Sequence, residues 1–388
     1  MEDIVLINPP QLDLRQPRAY IPLGLAYIGG ALEAANVDVK VLNLANEKNL
    51  SDVDYPDADW YGLSCTSATL ETVRSMVPYL AHRGKIVVGG SHPSVALEET
   101  ADLLNVDMVV AGEAEYFLRD VLTGVIPPER TFDAGMIRDL NQLPLPARHL
   151  FDKEDVVDRT GIHGQDGGVP ATTVLTSRGC PFQCTFCCKG HPMFTFYRFR
   201  NASNVRHELD TIIEDYGVEH IRFIDDEFTL HPHRTIDLMK AMKPLDLTWV
   251  CITRADTLTS PMLDYMKEAG CVEVHIGVES GSDRVLETMN KRTDVETLAR
   301  GVQMIKDAGI RVKTYLMYGF PGETEEDRQK TVDFVKHVQP DKFTVSHFTP
   351  LPGSLISQFV PKGETPWFYQ DYNESFEEFR RKIKEALE

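Results

Sequence analysis

Short apolar runs alternate with helix-length segments twice along this chain, once over the first 125 or so residues and again from 171 to about 350. In the first series the runs lie at 4–7, 37–42, 60–64, 86–88 and 108–111, with helical spacing over 22–35, 67–82, 93–104 and 113–122. In the second they lie at 172–176, 220–223, 248–252, 273–277, 312–317 and 342–347. Helical spacing fills the gaps of that series at 205–216, 232–242, 261–269, 283–289, 295–308 and 325–337. A helix between consecutive strands lets neighbours run parallel by right-handed crossovers, so each series predicts a parallel sheet covered by helices. Between the series, Pro127, Pro128, Pro144, Pro146 and a Gly/Asp-rich stretch at 161–168 interrupt every periodicity. The expected layout is an α/β domain at 1–126, a linker at 127–168, a second α/β domain at 169–355 and a tail at 356–388. Residues 140–151 are expected to pack across the joint, and 375–387 to form an amphipathic helix.

Composition narrows the class. At 388 residues, 42% hydrophobic and 26% charged, the chain is ordinary for a globular protein of two or three domains. A formal charge of −19 opposes bulk binding to nucleic acid, because a phosphate backbone would be repelled. Lys189, His191, Arg198 and Arg200 lie close together and read either as a local basic groove or as a solvated loop. Seven cysteines, three of them clustered, do not suit a disulfide framework, and free thiolates for a metal belong in a reducing compartment. The acidic start and the lack of a 20-residue apolar run argue against a signal peptide and a membrane span, which predicts a cytoplasmic protein.

The clustered cysteines, Cys180, Cys184 and Cys187, follow the apolar run at 172–176 with gaps of three and then two residues. Three thiolates for a four-iron cube leave one iron open to a ligand. A structural zinc site would want a fourth Cys or His at predictable spacing, and Cys188, being adjacent, is poorly placed to share the metal. Asp225, Asp226 and Glu227 repel each other at a strand mouth unless a cation compensates them. Glu279, followed by Ser280 and Gly281 at another strand end, is poorly explained by packing. Arg254 has a planar fork that suits a carboxylate. Cys65, Cys251 and Cys271 read as small buried hydrophobes, and Cys188 as a spare thiol or a core residue.

With Phe186 directly before the last cysteine, this pattern resembles the radical S-adenosylmethionine (SAM) enzymes. The resemblance implies a partial (β/α)6 barrel whose site lies at the strands' C-terminal ends. It implies a [4Fe–4S] cluster on Cys180, Cys184 and Cys187 that cleaves SAM to a 5′-deoxyadenosyl radical. It places Phe186 at the adenine, with a plain core role as the alternative. Asp226, of the three acids, goes to the methionyl amine, against a solvated turn. Arg254 goes to the SAM carboxylate, against an ordinary surface ion pair, and Glu279 with Ser280 to the ribose. The turns holding Gly319 and Pro350 bring backbone to the adenosine.

The first domain has neither Gly-x-Gly-x-x-Gly after its first strand nor a Gly-Lys-Ser/Thr loop. Its strand ends carry Asn8-Pro9, Ser64-Cys65-Thr66, Gly89-Gly90-Ser91-His92 and Gly112-Glu113, and its first helix opens on Leu23-Gly24. Together these resemble the cobalamin-binding domain that precedes many radical SAM domains, so those residues are the expected cobalamin contacts. The Asp-x-His-x-x-Gly motif of the classical cobalamin fold does not occur, which predicts base-off binding without a histidine below the cobalt. The lower face would then meet the loop from Cys65 to Leu70, with His92 the alternative ligand.

The combined resemblance implies a cobalamin-dependent methyltransferase, similar to class B, that methylates an unactivated carbon. Its reductant would be a flavodoxin or ferredoxin. A cyclase, ring-contracting enzyme or oxidoreductase with the same domains is the alternative. A non-catalytic cobalamin or redox sensor is the alternative of another class, and one that need not retain a full SAM site. A methylthio-transferring enzyme is disfavoured, since its first domain would need three cysteines and this one has only Cys65.

Overall fold

The computed structural model describes residues 2–11, 14, 16–161, 168–359 and 374–387. They fall into two compact units. The first comprises Met1–Thr173, Cys188–Phe199 and Ile212–Val218, and the second Val174–Cys187, Arg200–Thr211 and Glu219–Glu388.

In the first unit, strands β1 (Glu2–Asn8), β2 (Val39–Asn43), β3 (Ala58–Ser64), β4 (Lys85–Gly89), β5 (Met108–Ala111) and β6 (Thr131–Asp133) form one sheet in the order β2-β1-β3-β4-β5-β6. Every neighbouring pair is parallel. The chain moves one way from β1 to β2 and the other way from β1 to β3. Loops diverge at such a reversal, and the carboxyl edge there is the natural ligand crevice. Helices α1 (Leu23–Glu33), α2 (Leu70–Leu80), α3 (Leu97–Leu104) and α4 (Glu115–Leu122) supply the crossovers. Val5, Ile7, Tyr61, Leu63, Val73, Met76, Ile86, Val88 and Val109 belong to one buried core cluster. Each large side chain buried there contributes about 1.5–3 kcal/mol.

Two expectations change. The segment 127–168 is not only a connection, because Thr131–Asp133 completes the sheet as β6. Residues 140–151, placed across a joint in the sequence reading, pack on α1 of the same unit. Ala147 N donates to Ala26 O at 2.8 Å, and a Cβ on Gly30 would stand 2.4 Å from Leu145 O. The part of the Gly/Asp-rich stretch at 162–167 lies outside the described residues. Helices α2 to α4 also begin later than periodicity predicts, because polar loop residues bond the backbone first. Thr66 and Thr69 exchange bonds ahead of α2, and the Ser94 hydroxyl donates to Gly90 O ahead of α3.

A second sheet is built from β7 (Ala171–Val174), β10 (His220–Phe223), β11 (Thr248–Thr253), β12 (Cys271–Glu279), β13 (Arg311–Tyr318) and β14 (Lys342–His347), in the order β14-β13-β12-β11-β10-β7. Parallel ladders join β10 through β14 in sequence. Strictly sequential parallel order is that of the expected partial (β/α)6 barrel. Two-residue strands β8 (Ser177–Arg178) and β9 (Arg198–Phe199) and the short helices α5 (Lys153–Val156) and α6 (Pro192–Thr195) complete the shorter elements. The remaining helices are α7 (Ala202–Tyr216), α8 (Pro232–Met242), α9 (Ser260–Glu268), α10 (Asp283–Thr288), α11 (Val295–Asp307), α12 (Glu325–Val338) and α13 (Glu374–Glu385). Val274, Ile276 and Val278 on β12 and Val312 and Leu316 on β13 are buried, which marks the face under the helices. The alternate residues form the barrel's inner face. α13 realises the amphipathic tail with Phe376, Phe379 and Ile383 buried, while 360–373 of the expected tail lie outside the described residues.

Candidate functional site

The cysteine loop leaves β8 and is sewn down at several points. Thr185 N donates to Met289 O at 2.8 Å, Asn290 Nδ2 to Gln183 O at 2.7 Å and Ile356 N to Thr185 O at 3.0 Å. Among the described residues no three His, Cys, Asp or Glu side chains are arranged to hold a single metal ion. A four-iron cube asks each thiolate to take a different iron. Cys184 is buried, and its thiol is lowered to about 6 by a hydrogen bond with Cys187, against burial and with help from the charges of Lys291 and Arg254. Thiolates are the ligand form, so this donor set fits an iron–sulfur cluster.

The three acids after β10 separate by burial. Asp225 is 2% exposed and accepts from Thr176 N, the Thr176 hydroxyl and the Ser177 hydroxyl. Glu227 is fully buried, and burial pushes its carboxyl up against hydrogen bonds from Thr253, Arg254 N and Thr257. Asp226 alone is exposed, and it accepts from Gly179 N at 3.2 Å, one residue before Cys180. The alternative of a solvated acidic turn therefore fails for two of the three.

Arg254 forms the ion pair that one of the two readings allowed, but from a buried position. Its fork is taken by Asp256 at 2.8 and 2.6 Å. The guanidinium lies 3.8 Å over the Phe182 ring, Nη2 donates to Lys291 O and Nη1 stands 3.9 Å from Cys184 Sγ. The guanidinium is buried against the cysteine loop, while its partner Asp256 is exposed.

Glu279 ends β12 with φ +65°, a left-handed conformation rare for a residue with a side chain. The ladder to β13 shifts register between Gly277 and Glu279, which turns the carboxylate to the strand mouth. There it meets Lys291 Nζ at 3.3 Å. A Cβ on Gly277 would lie 2.6 Å from Glu279 Oε1, so this carboxylate position requires glycine there. Strain held in place by surrounding structure is a mark of functional positions. Local spacing gives Lys291 no role, since its partner lies twelve residues away at the end of β12. Ser280, paired with Glu279 for the ribose, is fully buried and bonds the Thr331 hydroxyl and Ser282 N, which turns it away from the mouth. Phe186 is half-buried and packs against Val285, Met289, Phe320 and Phe348, so an apolar packing role is present whatever else it does. Gly319, with φ +78°, receives the Glu323 carboxylate on its N–H at 2.9 Å, and Pro350 is half-buried.

On the first unit's carboxyl edge, the Asn8 amide donates to Asn43 Oδ1 at 2.8 Å, and Pro9 and Leu23 are buried. Gly24 is exposed, with no described residue within 4 Å of a Cβ placed there, and Thr66 and Ser91 are exposed, which leaves open backbone and hydroxyls for a bulky ligand. That cradle fits cobalamin. Ser64 and Gly89 are half-buried beside it and share one ladder step. Gly90 and Gly112 have another reason to be glycine, since a Cβ would strike Cys65 O at 2.5 Å and Gly135 O at 2.4 Å respectively. Cys65 is fully buried, with its thiol pushed up to about 12 by burial. His92 is buried and bonds Ser67 Oγ through Nδ1 at 2.9 Å, and burial pulls its pKa down. Glu113 is engaged by Arg198 at 2.6 Å and by Ile137 N at 2.6 Å. The basic group accordingly forms neither a groove nor a solvated loop. His191 and Arg198 are buried on Asp133 and Glu113, and Arg200 is buried on Glu208. A cavity of about 320 Å³ at the end of β2, lined by Arg18, Asn43, Glu47 and Asp155, was not foreseen.

Comparison with known proteins agrees with this geometry. Residues 17–122 match the B12 binding domain and residues 174–335 the Radical SAM superfamily. An uncharacterized methyltransferase of Pyrococcus horikoshii is 29% identical over 87% of this chain and 78% of its own length. The anaerobic magnesium-protoporphyrin IX monomethyl ester cyclase of Rubrivivax gelatinosus is 27% identical over 91% of this chain and 68% of its own. The radical SAM methyltransferase TsrM of Kitasatospora setae, solved with cobalamin and a [4Fe-4S] cluster, has TM-score 0.73 at 17% identity. That alignment covers 94% of this chain and 78% of TsrM, and at such identity the likeness is one of fold. The chain thus carries a radical SAM domain at residues 174–335, preceded by a B12-binding domain at 17–122.

Proposed function

We propose that the chain is a cobalamin-dependent radical SAM methyltransferase acting on an unactivated carbon. One observation carries the reading: a three-cysteine loop and the strained Glu279 stand at the strand mouths of a sequential parallel barrel, in a chain that also holds a B12-binding domain. Relatives named as methyltransferases support the reaction type. Cys180, Cys184 and Cys187 would hold the [4Fe–4S] cluster, and the open edge around Gly24, Thr66 and Ser91 would hold cobalamin. When bound, the cluster supplies the electron that cleaves SAM to a 5′-deoxyadenosyl radical, and cobalamin carries the methyl group. Arg254 and Lys291 keep positive charge beside the Cys184 thiolate and so favour the ligand form. Lys291 orients Glu279 through Oε1, and its other carboxylate oxygen can accept from the ribose hydroxyls. Asp226 is the exposed acid that can accept from the methionyl ammonium. The electron would come from a flavodoxin- or ferredoxin-like donor.

The test is anaerobic reconstitution with iron, sulfide and hydroxocobalamin, then desalting and product analysis with SAM and reductant. Stoichiometric cobalamin, and in the presence of substrate both 5′-deoxyadenosine and S-adenosylhomocysteine, is the expected result. Deoxyadenosine without S-adenosylhomocysteine would move the assignment to the cyclase or oxidoreductase reading, which the 27% identical cyclase favours. A cluster without cobalamin would rule out methyl transfer through cobalt.

A further inference from the structure

The inner face of the second sheet carries charge that the cofactor chemistry above does not use. Register places Ile252 beside His275, His275 beside Lys313, and Lys313 beside Lys342, so one layer crosses β11 to β14. The layer nearer the strands' N-terminal ends holds Val250, Glu273 and Arg311. The layer nearer the mouth holds Gly277, Tyr315 and Thr344.

Glu273 is fully buried and well compensated. His275 Nε2 stands 2.8 Å from one oxygen, and Lys342 at 2.9 Å and Arg311 at 3.5 Å approach the other. Burial alone would raise this carboxyl, but the bonds from His275 and Lys342 pull it down to about 2. Lys313 is left over. It is half-buried, has no acid partner among the described residues, and rests its ammonium 5.0 Å from the centre of the Tyr315 ring. The Tyr315 hydroxyl in turn bonds His275 Nδ1 at 3.1 Å. Burial lowers the Lys313 pKa, and the charge of Glu273, already paired with His275, Lys342 and Arg311, opposes that shift only in part. There is also room in this layer, because Ile252 is 37% exposed although it lies on the inner face. Arg311, Lys313 and Lys342 against the single carboxylate of Glu273 make this wall cationic in a chain of net charge −19.

We infer that the barrel's inner face is a substrate subsite in which Lys313, flanked by Tyr315 and Lys342, binds an anionic group, a carboxylate or a phosphate, of the molecule to be modified. The inference rests on the barrel being a SAM-dependent active site and names the chemistry of its substrate. The four residue steps from Lys313 to Met317 span about 13 Å of strand. A substrate held by its anionic end at this layer therefore presents a more distant carbon to the mouth where Glu279 stands.

The probes are inorganic phosphate and acetate. Reconstituted wild-type holoenzyme, with cluster and cobalamin content verified by spectrum, is treated with a neutral amine-reactive ester, and labelling is read by peptide mass spectrometry. Near saturation, phosphate or acetate slows modification of Lys313 by about tenfold, while exposed Lys243 on the protein's outside labels at an unchanged rate. Protection by phosphate alone assigns a phosphorylated substrate, and protection by acetate a carboxylate. If neither anion protects Lys313 in enzyme that holds both cofactors, the subsite is overturned while the cofactor assignment stands. Failure to load the cofactors instead counts against the functional reading. A second measurement uses Lys313→Met, which keeps the apolar stem on Tyr315. Equilibrium binding of the protecting anion weakens about tenfold in this variant, and unchanged affinity refutes the assignment to Lys313.

Discussion

At the scale of single residues, the site depends on backbone positions as much as on functional groups. Glu279 can sit at φ +65° because the register shift after Gly277 and the Lys291 contact hold it there. Gly277→Ala puts a methyl 2.6 Å from Glu279 Oε1 and 3.4 Å from Lys291 Nζ, so the carboxylate must move. SAM affinity of the reconstituted variant falls about tenfold, whereas iron content stays at the wild-type level, because no bond of the cysteine loop involves residue 277. Equilibrium binding of SAM together with an iron assay checks both halves. Arg254 teaches the opposite lesson. Its side-chain type pointed to a carboxylate ligand, yet Asp256, Lys291 O and Phe182 already occupy the guanidinium.

At the scale of elements, the cysteine loop has no regular structure of its own and borrows rigidity from residues 288–291. Asn290 does this twice, through the Nδ2 bond to Gln183 O and through its own φ of +50° ahead of Lys291. Asn290→Ala loses the bond and places a Cβ-bearing residue without asparagine's tolerance in the left-handed region, a local cost of about 2 kcal/mol. Asn290→Gly loses the bond but suits the conformation. The reconstituted cluster is therefore lost in air fastest in the alanine variant, more slowly in the glycine variant and slowest in wild type, followed by the decay of its visible absorption. Equal lifetimes would show that the loop is held by its other bonds, those at Thr185 and Ile356.

At the scale of the whole molecule, buried titratable groups make stability depend on pH. His220 is 2% exposed, with Nδ1 on the Thr248 hydroxyl and Nε2 buried with no hydrogen-bond partner among the described residues. Burial, then the charge of Arg222, lowers its pKa to about 4. An unfolded histidine titrates near 6.5, so below that pH the unfolded chain binds a proton that the folded chain refuses. Stability is therefore fully present above pH 6.5 and falls as pH drops towards 4, by about 3 kcal/mol from this group. Glu273, held at about 2, extends the loss below pH 4 as its unfolded form protonates first. Urea midpoints at pH 7 and 4.5 should differ clearly for wild type and much less for His220→Asn. An undiminished difference in the variant would place the dependence elsewhere.

The sequence by itself determined the features that local order can encode. Cysteine spacing on one loop survives any packing, so Cys180, Cys184 and Cys187 were legible, as were two strand–helix series and the small polar residues at their strand ends. The tertiary structure alone decided which side chains remain available. Burial separated Asp226 from Asp225 and Glu227, and turned Ser280 away from the mouth. Long-range pairing consumed Glu113 and Arg198 in one buried ion pair and engaged the Arg254 fork. It also brought Lys291 to Glu279 across twelve residues and gathered the His275, Lys313 and Lys342 layer from three strands. Strand β6 escaped the sequence reading because three residues among prolines carry too little periodicity, and a neighbouring strand's unsatisfied edge supplied what they lacked. Spacing writes chemistry into the chain, whereas desolvation and partner choice arise only once distant segments are packed together.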